Sequence, residues 1–349
     1  MSAADVVAVV LWTGMTLYAL LGGADFGAGF WDLVAGGDER GRRPRELIDL
    51  AIGPVWEANH TWLIFDLVIL WTAFPMAFAS VMSTLFVPLT LAAFGIVLRG
   101  SGFAFRKVVA RMAGQRLFGA VFAISSLVTP FFLGASLGAI ASGRIPVGNA
   151  AGDPWASWLT PTSLVTGLLA VAGSAYLAGV FLVADARRRD EADLEAYFRR
   201  RALAAGLVTG ALALIGVAVL HADAAYLYGG LTTRGLPVVL LSVTCGAVTL
   251  VLLARGSAGR ARALAAGAVA AIVVGWGVAQ HPYLLPTTLT VAAGAAPAGT
   301  LEALTVISVV AALLIGPSLA LLFVLDQRSR LESDVEGSRS TSASSDSQG

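Results

Sequence analysis

The sequence predicts an all-α protein that crosses a membrane many times, because the chain is too apolar for a water-soluble domain. Hydrophobic residues make up 57% of the 349 positions, charged residues only 13%, and the mean hydropathy is +0.80. A soluble domain has roughly 25% charged residues. The apolar stretches are about 20 residues long, which suits membrane helices, whereas barrel strands are about ten alternating residues. We therefore predict a polytopic bundle of transmembrane helices.

Nine apolar stretches, separated by charged or Gly/Pro-rich joints, define the predicted spans. They cover residues 6–34, 50–73, 76–98, 117–141, 162–184, 202–221, 236–254, 261–280 and 303–325. We expect spans one to four and five to eight to form two four-helix groups, with the ninth helix at the periphery. Residues 1–331 then form a single transmembrane domain. The Ser-rich segment 332–349 is predicted to be a disordered cytoplasmic tail, because it is too polar to bury a core.

The basic residues predict the orientation of the bundle. Of the 23 Lys and Arg residues, 21 lie in alternate joints or in the tail, and only Arg144 and Arg234 lie in the others. Because basic joints stay in the cytoplasm, the N-terminus is predicted to be outside and the C-terminus inside. The segment MSAADVVAVV has no Lys or Arg before its apolar stretch, so we expect a retained first span rather than a signal peptide.

Ionisable residues within the first two spans carry the functional signal. Asp25 lies in GGADFGAGFW, and Glu57, His60 and Asp66 lie in IGPVWEANHTWLIFD. Charges inside a bilayer cost several kcal/mol unless they are paired or hydrated, so such residues are functional candidates by default. Spans four, six, seven and eight have no comparably deep charge.

Asp25 and Glu57 are predicted to lie at similar depth, roughly 13 and 10 Å from the cytoplasmic ends of their spans. Because consecutive antiparallel helices are usually neighbours, we expect the two carboxylates to face each other and to handle a proton. Arg99, at the end of span three, could neutralise either one. His60 shares a face with Glu57. A purely structural, hydrogen-bonded pair is the alternative for these carboxylates.

Asn59, Trp62 and Asp66 share another face of span two than Glu57 and His60. Asn59 and Asp66 are seven positions apart, which is nearly two turns of a helix. Together with Trp56, these residues are candidates for lining the pathway. The sequence contains no P-loop, no CxxC or HExxH motif and no histidines spaced to hold a haem. We therefore predict that this chain has no catalytic, cofactor-binding or metal-ligating residues of its own.

Three motifs resemble subunit II of cytochrome bd-type quinol oxidases. They are GGADFGAGFWD at 22–32, IGPVWEANHTWL at 52–63 and LRGSGFAFR at 98–106. The resemblance implies a terminal oxidase of the bacterial inner membrane that oxidises quinol and reduces dioxygen to water. It also implies a partner, subunit I, which carries two b haems and haem d and forms a heterodimer with this chain. Small accessory subunits, lipid or quinone are further expected partners; nucleic acid is not.

The resemblance also implies roles for individual residues. Trp56 and Glu57 stand at the family's Trp and acidic position, for which a proton route from the cytoplasm has been proposed. Asp25 stands at the first-helix aspartate of the family and Arg99 at its arginine ending span three. Many members have Asp-Gly-Asn where this sequence has Glu57, Ala58 and Asn59, and His60 is commonly Gln or Glu. The cyanide-insensitive branch is an alternative within the family.

Two other functions compete with an oxidase subunit. A proton-coupled secondary transporter would use Asp25 and Glu57 to bind its coupling ion. Such transporters commonly show related features in two halves, whereas the polar residues here crowd into one half, which favours the oxidase. A purely structural assembly subunit would need the carboxylates only to hold helices together.

Overall fold

The computed structural model describes residues 2–52, 56–109 and 112–327 and is built almost wholly from α-helices. The long helices are α1 (Ala3–Leu33), α3 (Trp56–Ala73), α5 (Phe86–Val108), α6 (Met112–Ala141), α7 (Pro161–Arg188), α8 (Ala192–Asp223), α10 (Leu236–Ala254), α11 (Ala258–Gln280) and α13 (Ala298–Gln327). The shorter ones are α2 (Asp38–Ile52), α4 (Pro75–Thr84), α9 (Ala225–Thr232) and α12 (Val291–Gly294). The predicted tail 332–349 lies outside the described residues.

Eight of these helices are long and apolar enough to cross a membrane, namely α1, α5, α6, α7, α8, α10, α11 and α13. A further candidate is the pair α3 and α4, which passes the same test together but is bent by 119°. All nine predicted stretches therefore contain helix within the described residues. The structure contains no bilayer, so the count of nine spans and the direction of the termini stay predictions.

The long helices pack as two groups, which meet where α7 contacts α1 and α6 and where α11 contacts α1. One group contains α1, α3, α5 and α6, and the other contains α7, α8, α10 and α11. Helix α7, the most buried of the candidate spans, contacts α1, α6, α8 and α11. Helix α13 packs against α1 and α3 at the edge of the first group. This arrangement agrees with the predicted two groups of four and a peripheral ninth helix.

Small residues in α1 bring its neighbours close. A Cβ added at Gly27 would lie 1.9 Å from the backbone oxygen of Ser174 in α7. A Cβ at Gly29 would lie 2.1 Å from the hydroxyl of Ser126 in α6. Without a driving force from water, close backbone approach of this kind is what holds membrane helices together. These two glycines let α1 approach α7 and α6 closely.

The predicted third span, 76–98, was wrong in its bounds. The chain bends after α3 at Phe74, because Pro75 starts α4 and has no N–H to continue the preceding helix. A second break at Leu85 separates α4 from α5, and Pro88 lies in the first turn of α5, where its missing N–H costs nothing. Helix α5 then continues to Val108. Arg99 therefore lies inside a helix, not at its end.

The joint between the first two predicted spans is helical rather than open. Helix α2 buries Leu47 and Ile48 against the second group of helices. Arg45 at its centre donates a hydrogen bond of 2.8 Å to the carboxylate of Asp32, near the end of α1. Arg43 pairs with Glu191 and Asp193, at the start of α8. These contacts gather the arginine-rich joints at one end of the bundle.

The segment before α13 covers the bend between α3 and α4. It forms a small antiparallel hairpin of β1 (Tyr283–Leu285) and β2 (Leu289–Thr290), with Tyr283 opposite Thr290. The amide of Ala296 donates a hydrogen bond of 2.8 Å to the carbonyl of Ala73, the last residue of α3. Helices leave their last carbonyls without partners, and the bend would otherwise leave this one unpaired.

Candidate functional site

Asp25 lies in the centre of the candidate site. Its side chain is buried, with the residue only 4% exposed, on the face of α1 that packs against α3. Asn59 of α3 donates a hydrogen bond of 2.8 Å from Nδ2 to Oδ2 of Asp25. A buried carboxylate is tolerated only where donors or positive charge replace water. The asparagine supplies one such donor.

Arg99 supplies the positive charge next to Asp25. It is 1% exposed, and its Nη2 donates a hydrogen bond of 3.0 Å to the backbone oxygen of Asp25. Its Nε donates to the hydroxyl of Ser126 at 3.2 Å. The guanidinium also lies 5.2 and 5.1 Å from the ring centroids of Phe26 and Phe122. Of the two carboxylates that Arg99 was predicted to neutralise, it lies next to Asp25. It reaches this position from within helix α5 rather than from a loop.

Glu57 does not join Asp25, and the prediction that these two carboxylates face each other was wrong. Glu57 is exposed on the outer side of α3, whereas Asn59, the partner of Asp25, is 3% exposed. Residues two apart on a helix point about 200° apart, so only one of the two can face α1. The depth estimate could not decide which face of α3 turns inward.

His60 lies between these two faces of α3 and is half-buried. Its Nδ1 is 3.4 Å from the hydroxyl of Tyr18, and its ring centroid is 5.7 Å from that of Phe26. Phe26 also packs under Arg99. His60 is thus connected to the buried site through aromatic side chains of α1.

A row of buried polar atoms follows α3 beyond Asn59. Within the described part of the chain, Oδ1 of Asn59, Nε1 of Trp62 and Oδ1 of Asp66 are buried without a hydrogen-bond partner. Asp66 lies against α1 at Gly14, where an added Cβ would be 2.0 Å from its Oδ1. Asn59 and Asp66 are buried and Trp62 is half-buried, so the three residues predicted to share one face all turn at least partly toward the interior. Buried polar groups without a protein partner are the usual sites of internal water.

The structure adds two residues to the predicted site, and the side chain of one predicted residue lies outside the described part of the chain. Tyr18 and Ser126 were not predicted, because the prediction rested on charged residues, whereas their only signal in the sequence is a hydroxyl group within an apolar stretch. The side chain of Trp56 lies outside what the structure describes. No cluster of three or more His, Cys, Asp or Glu residues that could hold a metal ion is found within the described residues.

Comparison with known proteins places this chain in one family. The family model for cytochrome bd terminal oxidase subunit II matches residues 3–325. The chain is 31% identical over 129 residues to cytochrome bd ubiquinol oxidase subunit 2 of Bacillus subtilis, which is 37% of this chain and 36% of that one. It is 27% identical over 126 residues to cytochrome bd-I ubiquinol oxidase subunit 2 of Escherichia coli, or 36% of this chain and 32% of that one. The alignments thus span about a third of these relatives.

A solved structure is similar over nearly the whole chain. The bd oxidase from Geobacillus thermodenitrificans matches with a TM-score of 0.79 and 25% identity. The match covers 93% of this chain and 98% of that chain. The similarity of fold therefore extends well beyond the region that the two relatives share in sequence.

Proposed function

The chain belongs to the family of cytochrome bd terminal oxidase subunit II, and we propose that it is the haem-free membrane subunit of such an oxidase. It packs against the haem-carrying subunit I and takes part in a complex that oxidises quinol and reduces dioxygen to water. The complex lies in the bacterial inner membrane, with the arginine-rich end of this chain in the cytoplasm. This chain supports assembly and gives protons and dioxygen access to the haems.

The exposed position of Glu57 is the observation that supports the proposed contact with a partner subunit. One face of α3 presents Glu57, Thr61, Ile64, Val68 and Trp71 to the outside. Glu57 precedes Asn59, the partner of Asp25, by two residues of α3. This places Glu57 roughly 9 Å deeper in the bundle than the level at which α1 ends. A carboxylate facing lipid at this depth costs several kcal/mol. A protein subunit covering this face of α3 removes that cost.

The histidines of this chain support placing the haems in the partner. A six-coordinate haem needs two axial ligands that face each other across the ring. His60 lies in the middle of the site beside Tyr18, whereas His221 and His281 lie at the ends of α8 and α11. These positions offer no facing pair. When bound in subunit I, the haems supply electron transfer and dioxygen reduction.

We further propose that the first helix group conducts protons. Glu57 takes up a proton at the face covered by subunit I, and His60 and Asp25 pass it along the buried side of α3. Asn59, Trp62 and Asp66 hold water through their buried polar atoms. The positive charge of Arg99 compensates the negative charge of Asp25, because the two side chains are close enough to interact electrostatically. Trp56, next to Glu57 in sequence, is proposed to line the entrance.

A reduced-minus-oxidised absorption spectrum tests the assignment. The tagged chain is purified gently from its native membranes together with the proteins that accompany it. We expect the bands of haem b and haem d and a second membrane polypeptide. A colourless, solitary protein under conditions that preserve complexes would contradict the proposal and favour the proton-coupled transporter.

A further inference from the structure

Four arginines surround an open cavity between the last turn of α7 and the first turn of α11. The cavity has a volume of about 740 Å³. Its polar lining consists of Arg187, Arg188, Arg260, Arg262 and Ser257. It lies at the arginine-rich end of the bundle, in the second helix group, and shares no residue with the site around Asp25.

The lining is strongly positive. Arg188 and Arg262 both form ion pairs with Asp185, whose side chain is 12% exposed. Four arginines line the cavity, and none of the described side chains in its lining is acidic. Arg187 donates a hydrogen bond of 2.6 Å to the carbonyl of Gly256, which fixes the turn that forms one wall. These contacts hold the guanidinium groups of Arg187, Arg188 and Arg262 in place beside the cavity.

The first turn of α11 adds donors to the same wall. Its N-cap residue, Ser257, makes no side-chain hydrogen bond to the helix, and Ala258 and Gly259 line the cavity. Backbone N–H groups at a helix start and the positive end of its dipole favour anions. Forked guanidinium donors match the oxygens of a phosphate group in particular.

A second cavity next to the first provides a contrast. It has a volume of about 310 Å³ and is lined by Arg187 and Arg199 together with Asp190 and Glu195. Two positive and two negative side chains balance each other, so this cavity does not select an anion. The excess of positive charge is specific to the larger cavity.

We propose that the larger cavity binds a phosphate group, and that the headgroup of an anionic phospholipid supplies it. Helices α7 and α11 are both candidate membrane spans, so the cavity lies at the level where they leave the bilayer. Basic pockets between membrane helices at the cytoplasmic surface bind such headgroups. Free phosphate is the other source of the same chemistry.

Native mass spectrometry of the complex with the haem subunit tests this proposal. The complex is delipidated in detergent, and phosphatidylglycerol or phosphatidylcholine is added back. Each arginine near a membrane surface contributes enough attraction for about a fivefold change in affinity. We therefore expect the R187Q/R260Q variant to bind phosphatidylglycerol about thirtyfold more weakly. The matched control is R40Q/R42Q, which removes two exposed arginines from α2 and should bind normally.

The outcomes separate the two sources of phosphate. Selective loss of phosphatidylglycerol, with no displacement by millimolar inorganic phosphate, supports the lipid. Displacement by inorganic phosphate that depends on Arg187 and Arg260 supports the site with free phosphate as its ligand. Equal phosphatidylglycerol binding by wild type and both variants overturns the proposal. If R187Q/R260Q lowers the haem content, the single variant R260Q decides the matter, with a fivefold loss expected and no loss contradicting the site.

Discussion

The amide of Asn59 donates its hydrogen bond to the carboxylate of Asp25, and this contact fixes which side of α3 turns toward α1. An ionised carboxylate only accepts hydrogen bonds, so the Nδ2 atom of Asn59 faces it and Oδ1 points away. That Oδ1 atom begins the row of buried polar atoms along α3. One contact between two helices thus sets the orientation of both the buried and the outward face.

Replacing Asn59 with leucine removes the donor to Asp25 while keeping the side-chain size. Because hydrogen bonds to charged groups contribute about 1.5–3 kcal/mol, we expect the complex to lose stability by this order. Thermal unfolding followed by haem absorption measures the change. The control T244V alters an exposed threonine of α10, in the second helix group, and should stay within about 0.5 kcal/mol of wild type. Equal stability of N59L and T244V would contradict a structural role for the contact.

Replacing Glu57 with glutamine removes the titratable proton without changing the shape of the side chain. We expect an assembled complex whose dioxygen reduction is slower by about a hundredfold or more, because positioned proton-transfer groups contribute at least that much. Oxygen consumption with saturating quinol measures the rate. The control E302Q changes an exposed glutamate in the first turns of α13 and should leave turnover unchanged. Unchanged turnover in E57Q would remove Glu57 from the proton route.

A photo-crosslinking amino acid at Trp71 tests the face of α3 proposed to contact the haem subunit. Trp71 is 63% exposed in this chain, and Leu214 of α8 is similarly exposed at 71%. We expect irradiation to link position 71 to the haem subunit and position 214 to lipid only. Gel electrophoresis with detection of both subunits measures the adducts. An adduct from position 214 and none from position 71 would place the interface on the second helix group.

Replacing Gly27 with alanine tests the close approach of α1 and α7. The added methyl group would lie 1.9 Å from the backbone oxygen of Ser174, so the helices must separate. We expect a loss of about 1–3 kcal/mol, as for other overpacked positions. Gly210 of α8 has nothing within 4 Å of an added Cβ, so G210A should be neutral or stabilise by about 0.5–1 kcal/mol. Thermal unfolding of both variants decides; similar midpoints would contradict tight packing at Gly27.

The sequence was sufficient to predict the helical class and the approximate helices, and it singled out Asp25 and Arg99, which the structure brings together. Long apolar stretches predict helices directly, and a buried charge such as Asp25 or Arg99 is conspicuous against them. The spacing of Asn59, Trp62 and Asp66 predicted one shared face, and each of the three has a polar atom buried in the structure. These inferences depend on local pattern alone.

The orientation of α3 and the break near Leu85 could not be predicted in the same way. In a bilayer, lipid and protein interior are equally apolar, so exposed residues such as Ile64 and Val68 look like core residues in the sequence. Which polar face of α3 turned inward depended on a partner in another helix, Asp25. The bend at Pro75 is covered by the segment at residue 296. This segment lies far along the chain, so local pattern does not connect the two.

The hydrogen bond from Ala296 to Ala73 has a consequence for biosynthesis. The ribosome makes the chain from its N-terminus, so the end of α3 is inserted long before residue 296 exists. The carbonyl of Ala73 receives this partner only once the segment leading into α13 has been synthesised. Synthesis of residue 296 is therefore the step that allows this hydrogen bond to hold the bent α3–α4 pair, and with it the face proposed to contact the haem subunit. A nascent chain truncated before residue 296 would lack this hydrogen bond at the end of α3.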